Sequence, residues 1–85
     1  MEIVFAPKAR QDLKSWNLSG SNKIKQKISE LIIAIEKDPF RGIGKPEPLK
    51  HEFSGCWSRR INQEHRIIYE ITENTVHILS LKDHY

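Results

Sequence analysis

The chain has 85 residues, with 14 Lys and Arg against 11 Asp and Glu and a formal net charge of +3 at pH 7. This length supports one domain, over residues 1–85, with a single small core. No apolar run is long enough to span a bilayer, and a signal-peptide pattern is absent. The single cysteine, Cys56, excludes an intrachain disulfide and is typical of the reducing cytoplasm. The basic balance permits contact with nucleic acid, but it is also typical of an inert basic surface.

The first predicted elements are a short strand over residues 3–5 and a helix that starts at Pro7, where the missing N–H is harmless. Residues 17–20 break this helix, and Ser21 is a suitable N-cap for the next one. The second helix is predicted by an apolar stripe at helical spacing: Ile24, Ile28, Leu31, Ile32 and Ile35. It ends before Pro39, because the residue preceding a proline is pushed out of the helical region.

A loop rich in Gly and Pro over residues 40–48 leads into the second half of the chain. Strands are predicted over residues 50–53, 56–62, 66–72 and 75–82, separated in two places by turn signals. The resulting order β-α-α-β-β-β-β predicts an α+β fold. In it, two antiparallel helices pack on one face of a mostly antiparallel, twisted sheet.

Strand alternation predicts which side chains face away from the helices, on what is called the open face below. The larger apolar set would face the helices: Trp57, Ile61, Ile67, Tyr69 and Ile71. Ser58, Arg60 and Arg66 would then lie on the open face, while Arg59 would lie with the core set or at its edge. On the last strand, burial of Leu79 and Leu81 would send Ile78, Ser80, Lys82 and His84 to the same face. Such a cationic cluster favours an anionic ligand, unless Glu47, Glu52 or Glu70 neutralises it within the fold.

These residue types match the needs of an RNA cleavage reaction that uses no metal. One group removes the proton of the 2′-hydroxyl, another protonates the leaving 5′-oxygen, and cations stabilise the phosphorane. Glu47, held between Pro46 and Pro48, is suited to the base role, and His84 to the acid role because its ordinary pKa lies near neutrality. The other candidates are cations for phosphate, Arg60, Arg66 and Lys50, and a ring that stacks on a base, Tyr85.

Other chemistries fit the sequence less well. The histidines and Cys56 lack the paired spacing of zinc ligands, so neither a metal nor another cofactor is expected. Gly42 and Gly44 lack the setting of a phosphate-binding P-loop. Cys56 lies within a predicted strand, which favours a packing role.

Over nearly its whole length, and most densely from residue 40 to the end, the chain resembles the YoeB-type (Txe/YoeB) toxins of the RelE/ParE toxin–antitoxin superfamily. The segments that carry the resemblance are GKPEPLKH at 44–51, SGCWSRRI at 54–61, EHRIIY at 64–69 and the terminal His84 and Tyr85. The resemblance implies a RelE-like, microbial ribonuclease-like fold. It also implies a ribosome-dependent endoribonuclease that cuts mRNA in the ribosomal A site and is inhibited by a YefM-type antitoxin. Whether the protein forms a homodimer is left open.

The resemblance also assigns roles to individual residues. The general base of the family falls on Glu47, the general acid on His84 and the terminal tyrosine on Tyr85. Its phosphate-binding residues fall on Arg66, Lys50 and Arg60. The chain departs from the family at Cys56, where an aromatic residue is common, and at Asp83 beside the acid.

Two other functions remain open at this stage. A ParE-like toxin would bind a protein target such as gyrase without cutting RNA, and such toxins generally lack the terminal His-Tyr pair. A non-catalytic RNA-binding domain would need cations and aromatic rings, but neither a rigid Glu47 nor a terminal histidine.

Overall fold

The computed structural model describes residues 1–83 and has two helices packed on a five-stranded sheet. The elements are β1 (Glu2–Phe5), α1 (Pro7–Ser19), α2 (Asn22–Lys37), β2 (Glu47–Pro48), β3 (Cys56–Arg60), β4 (Arg66–Thr72) and β5 (Thr75–Asp83). The strand order is β1-β5-β4-β3-β2, with β1 parallel to β5 and the other pairs antiparallel. The predicted α+β fold and its element order are confirmed. Neither helix is long and apolar enough to cross a bilayer, considering residues 1–83.

The helix boundaries follow from local chemistry. Helix α1 begins at Pro7 and ends before Gly20, which has a left-handed φ of 74°. The hydroxyl of Ser21 accepts the N–H of Ile24 at 3.3 Å and caps α2, as predicted. Helix α2 ends at Lys37, just before Asp38 and Pro39.

The main core lies between the helices and one face of the sheet. The α2 stripe contributes Ile28, Leu31 and Ile35, and the sheet contributes Ile67, Tyr69, Val76, Ile78 and Leu81, all nearly or fully buried. A smaller apolar cluster lies on the open face and consists of Leu49, Cys56, Ile68 and Leu79. The open face therefore has its own packed floor beneath its polar side chains.

A buried arginine fixes the loop that leads from α2 to β2. Arg59 is fully buried and donates to the carbonyls of Asp38, Arg41 and Ile43 at 2.6, 2.9 and 3.1 Å. Its Nε donates to the Tyr69 hydroxyl at 3.1 Å, and that hydroxyl donates to the Pro39 carbonyl at 2.6 Å. The guanidinium thus serves as the internal partner of backbone groups that the folded loop removes from water.

The same loop has a position that only glycine fits. Gly44 has a φ of 83°, and a Cβ there would lie 2.7 Å from Leu31 Cδ2 and 3.1 Å from Arg59 Cβ. Its carbonyl accepts the N–H of Arg60 at 2.7 Å. The loop is therefore anchored against both α2 and β3 three residues before Glu47.

The bounds predicted for the second strand, residues 50–53, are wrong, because this strand lies earlier, at Glu47–Pro48. Strand β2 pairs with β3 at Glu47 and Pro48. One more hydrogen bond follows, from the Leu49 N–H to the Cys56 carbonyl at 2.9 Å. Residues His51–Phe53 form a 3₁₀ turn, and His51 has a φ of 59°, which a continuing strand does not allow. Strand β3 also ends at Arg60, two residues earlier than expected.

The predicted facing of the last strand is also wrong in part. Two register shifts interrupt the pairing of β4 with β5 between Arg66 and Tyr69. Consequently Ile78 belongs to the main core and Leu79 to the open-face cluster, the reverse of the expectation. Bulges of this kind break the simple alternation on which the expectation rested.

Helix α1 holds the bulged segment in place. One oxygen of the Asp12 carboxylate accepts the N–H of Leu81 at 2.9 Å and that of Lys82 at 3.1 Å. Lys82 Nζ bonds to Ser15 Oγ at 2.9 Å and lies 4.7 Å from the centre of the Trp16 ring. Lys82 therefore packs on α1 and is not part of the open-face cationic cluster. His84, predicted to continue that cluster, lies outside the described residues.

Candidate active site

The site is centred on a carboxylate and a guanidinium that meet on the open face. Glu47 is on the edge strand β2, and Arg66 is the first residue of β4. Arg66 Nη1 lies 3.6 Å from Glu47 Oε2 and donates to Ser58 Oγ at 3.2 Å. The Arg66 side chain is 18% exposed and that of Glu47 is 53% exposed. The cation is therefore held in place, while the carboxylate remains accessible to a ligand.

A small residue makes this contact possible. Strand β3 lies between β2 and β4, and Ser58 is the cross-strand partner of Glu47. Because β3 separates them, the backbones of β2 and β4 are about 9–10 Å apart, and the side chains of Glu47 and Arg66 must cross this distance. The fully buried Ser58 leaves that path clear and gives Arg66 a hydrogen-bond acceptor.

A second arginine lies beside the first. Arg60 and Arg66 are directly opposed in the β3–β4 pairing and so share a face, and the shared face is what the facing argument predicted. Opposed like charges disfavour folding unless a counter-charge is present. Glu47 supplies that charge to Arg66, whereas Arg60 is exposed and forms no ion pair within residues 1–83. Neutralisation by Glu47 is thus partial, and the arginine pair remains suited to a phosphate.

The last described residue of β5 lies next to Arg66. Asp83, the last residue of β5, is the pairing partner of Arg66 on the side of β4 opposite to Arg60. His84 and Tyr85, the predicted acid and terminal ring, lie outside the described residues. Lys50, three residues after Glu47 in the chain, is exposed. Its side chain makes no hydrogen bond or ion pair with any described residue. The structure thus brings Glu47, Arg60 and Arg66 together and shows no hydrogen bond or ion pair from Lys50 to them.

Two other titratable groups of the sheet, Cys56 and Tyr69, have packing and hydrogen-bonding roles. Burial, and to a lesser degree the charge of Glu70, raises the pKa of the Cys56 thiol, which keeps it protonated and supports a packing role. Burial also raises the pKa of Tyr69, which remains a hydrogen-bond donor. No three His, Cys, Asp or Glu side chains within residues 1–83 are grouped so that they could hold a metal ion.

Sequence reasoning missed the two residues that support the site. Ser58 was expected on the open face without a role, although its small size is what allows Glu47 and Arg66 to meet. Arg59 was expected in the core or at its edge, and its partners are mainly backbone carbonyls, which leave no trace in a residue pattern. An uninterrupted Arg-Arg pair in a strand was the available signal, because alternation must place one of the two inside.

Comparisons with known proteins give consistent similarities over the full chain. The family model "YoeB-like toxin of bacterial type II toxin-antitoxin system" matches residues 5–85. Toxin YoeB of Synechocystis sp. is 47% identical over 85 residues, covering 100% of this chain and 98% of that protein.

Solved structures agree with these matches. A YoeB/ParE toxin from Agrobacterium tumefaciens superposes with a TM-score of 0.95 at 34% identity, with complete coverage of both chains. Structures of Staphylococcus aureus YoeB, in complex with YefM and as a dimer, have TM-scores of 0.89 and 0.90. Both are 42% identical to this chain and cover 100% of it and 98% of their own chains.

Proposed function

We propose a function for this chain from the premise that it belongs to the YoeB-like toxins of bacterial type II toxin–antitoxin systems. It is a metal-independent endoribonuclease that acts in the cytoplasm on mRNA in the ribosomal A site and thereby inhibits translation. The observation that carries the proposal is the 3.6 Å approach of Arg66 Nη1 to Glu47 Oε2 on an open, cationic sheet face.

The geometry supports distinct roles for these two side chains. Glu47 takes the proton of the 2′-hydroxyl, and the 2′-oxygen attacks the adjacent phosphorus. The bond from phosphorus to the 5′-oxygen then breaks, leaving a 2′,3′-cyclic phosphate on one fragment and a 5′-hydroxyl on the other. Arg66, oriented by Ser58, is placed to stabilise the charge that develops on the phosphorane, and Arg60 adds a second donor.

His84 and Tyr85 complete the proposed site. His84 protonates the leaving 5′-oxygen as its general acid, and Tyr85 positions the substrate by stacking on a base. Both follow Asp83, which pairs with Arg66, and this adjacency in sequence supports the assignment. Lys50, exposed near Glu47, contributes a point charge for the substrate phosphates.

The proposal extends to partners. Because the S. aureus relative is described in complex with YefM, we expect this chain to be inhibited by an antitoxin of that type. The dimer of the same relative supports a homodimer here as well. The ribosome and its mRNA are the other expected partners.

The experiment combines purified protein with ribosomes programmed with a defined mRNA and maps the fragment ends. The expected ends are a 5′-hydroxyl and a 2′,3′-cyclic phosphate or its 3′-phosphate product. Fragments with a 5′-phosphate and a 3′-hydroxyl would contradict the mechanism. Intact mRNA together with inhibited gyrase would favour the ParE-like alternative.

A further inference from the structure

The end of strand β5 has two more residues than the stretch of β4 with which it pairs. From the pair Tyr69–Ile78 to the pair Arg66–Asp83, β4 has four residues and β5 has six, counting both ends. In an uninterrupted register Arg66 would face Leu81, and Asp83 would lie about 6–7 Å past Arg66 at the usual rise per residue. The two bulges therefore place the end of β5, and not an earlier residue, against Arg66.

A single carboxylate on α1 holds the bulge that is nearer to the chain end. Here two β5 residues, Leu81 and Lys82, lie opposite one β4 residue, Ile67. A bulge displaces backbone N–H groups from the ladder, and these groups then need acceptors elsewhere. Asp12 Oδ2 accepts the N–H groups of Leu81 and Lys82 at 2.9 and 3.1 Å, and its side chain is only 13% exposed. Water is therefore a poor substitute for this carboxylate.

Further contacts from α1 surround the same carboxylate. Lys8 Nζ donates to Asp12 Oδ2 at 2.8 Å and to Ser80 Oγ at 3.0 Å, and Ser80 Oγ donates to Asp12 Oδ2 at 3.3 Å. Trp16 Nε1 donates to the Leu81 carbonyl at 2.9 Å. The bulge is thus braced by side chains of α1 in addition to its pairing in the sheet.

We propose that Asp12 is a positioning residue for the general acid. By holding the bulge it keeps Asp83 against Arg66, and His84 is the next residue in the chain. The inference deepens the proposed function, on which it rests for the role of His84. Asp12 acts through the backbone, because α1 packs on the face of the sheet opposite to the open face. A slip of one residue is about 3.3 Å, and a misplacement of about 1 Å already costs up to about 10² in rate.

The test compares two leaving groups on programmed ribosomes. Once the cut site is mapped, one mRNA keeps the 5′-oxygen of the scissile phosphate and the other has sulfur in its place. A thiolate is a far weaker base than an alkoxide, so its departure needs no general acid. Single-turnover rates are measured with both for the parent, Asp12→Ala, His84→Gln and Arg66→Ala. Ile35→Val, which removes one methyl group from a fully buried side chain, is the control for lost stability.

With the oxygen substrate, Asp12→Ala should cut about 10- to 100-fold more slowly than the parent, and Ile35→Val should keep the parental rate. With the sulfur substrate, the parent, Asp12→Ala and His84→Gln should cut at nearly equal rates, whereas Arg66→Ala should remain slow. An equal loss for Asp12→Ala with both substrates, or no loss with either, would overturn the positioning role. Asp12→Asn, which keeps one acceptor oxygen, gives the same comparison if Asp12→Ala does not fold.

A second measurement does not depend on cleavage. Cross-strand NOEs between Arg66 and Asp83 are recorded by NMR for the parent, Asp12→Ala and Ile35→Val. We expect them to weaken only in Asp12→Ala, and unchanged NOEs in that variant would overturn the proposal. A parent protein that leaves mRNA intact would contradict the proposed activity, while weakened NOEs in Asp12→Ala would still support the hold of Asp12 on the strand end.

Discussion

The carboxylate of Glu47 reaches the guanidinium of Arg66 across an entire intervening strand, with Nη1 and Oε2 3.6 Å apart. A partly exposed ion pair at this distance contributes on the order of 1 kcal/mol or less to stability, so it does little to hold the sheet together. Its arrangement is better explained by chemistry, because a held cation beside an accessible carboxylate suits proton removal next to a phosphate.

Arg66→Ala should lower the single-turnover rate of mRNA cleavage on programmed ribosomes by about 10²–10³, because it removes a cation that stabilises the transition state. The free energy of unfolding should change by about 1 kcal/mol or less. Lys14→Ala, at an exposed position of α1, is the matched control and should retain the parental rate. A folded Arg66→Ala protein that cuts as fast as this control would refute the role.

Arg59→Met should reduce the free energy of unfolding by about 3 kcal/mol, because three loop carbonyls and the Tyr69 hydroxyl lose their buried donor. Arg60→Met, at the neighbouring exposed position, should change it by about 0.5 kcal/mol or less. Urea unfolding at neutral pH measures both. Equal stabilities of the two variants would show that Arg59 does not anchor the loop.

Asp12→Asn should destabilise the protein in a pH-dependent way. Burial opposes ionisation of Asp12, but hydrogen bonds from Lys8 and the Leu81 amide, the charge of Lys8 and the Lys82 amide outweigh it and lower its pKa. A carboxyl with a lowered folded-state pKa stabilises the fold above its unfolded pKa, near 3.9, and loses that contribution as the pH falls through the folded value.

The expected difference between parent and Asp12→Asn is therefore about 1–2 kcal/mol at neutral pH, shrinking below about pH 4. Urea titrations at a series of pH values measure it, with Glu36→Gln on exposed α2 surface as the control. A difference that stays constant down to about pH 3 would contradict the assigned role of the Asp12 charge.

Deleting His84 and Tyr85 should eliminate cleavage at small cost in melting temperature, since terminal residues usually make few buried contacts. His84→Gln separates the two, because glutamine keeps the bulk and a donor but delivers no proton at neutral pH. Its single-turnover rate should fall by roughly 10²–10⁴. If the truncated protein melts normally and cuts at the parental rate, the terminal pair has no catalytic role.

The parts of the fold that sequence predicts best are those fixed by neighbouring residues. Ser21 caps α2, Pro39 follows its end, and the left-handed Glu73 and Asn74 form the tight turn between β4 and β5. The position of Arg60 beside Arg66 followed from alternation alone. The proposal that Glu47 is the base rests on its stiff setting and on the family resemblance.

What sequence could not predict depends on contacts between distant segments. The bulges of β5 are stabilised by Asp12, which is about seventy residues away in the chain, so the alternation rule misplaced Ile78, Ser80 and Lys82. Residues 50–53 were predicted as a strand, but the left-handed His51 turns the backbone away from β3. The first error arises where tertiary hydrogen bonds override a local pattern, and the second where local turn bonds, from the Phe53 N–H to the Lys50 carbonyl and from the Ser54 N–H to the His51 carbonyl, replace strand pairing.

The most direct test of the catalytic account removes one oxygen atom from the substrate. Once the cut site is mapped, an mRNA carrying a 2′-deoxynucleotide at the 5′ side of the scissile phosphate is placed on ribosomes and treated with the protein. Without the 2′-hydroxyl that Glu47 is proposed to deprotonate, no nucleophile is available within the strand. The account predicts that cleavage at this position is abolished while the protein still binds the programmed ribosome; cleavage of the deoxy-substituted mRNA at the parental rate would contradict it.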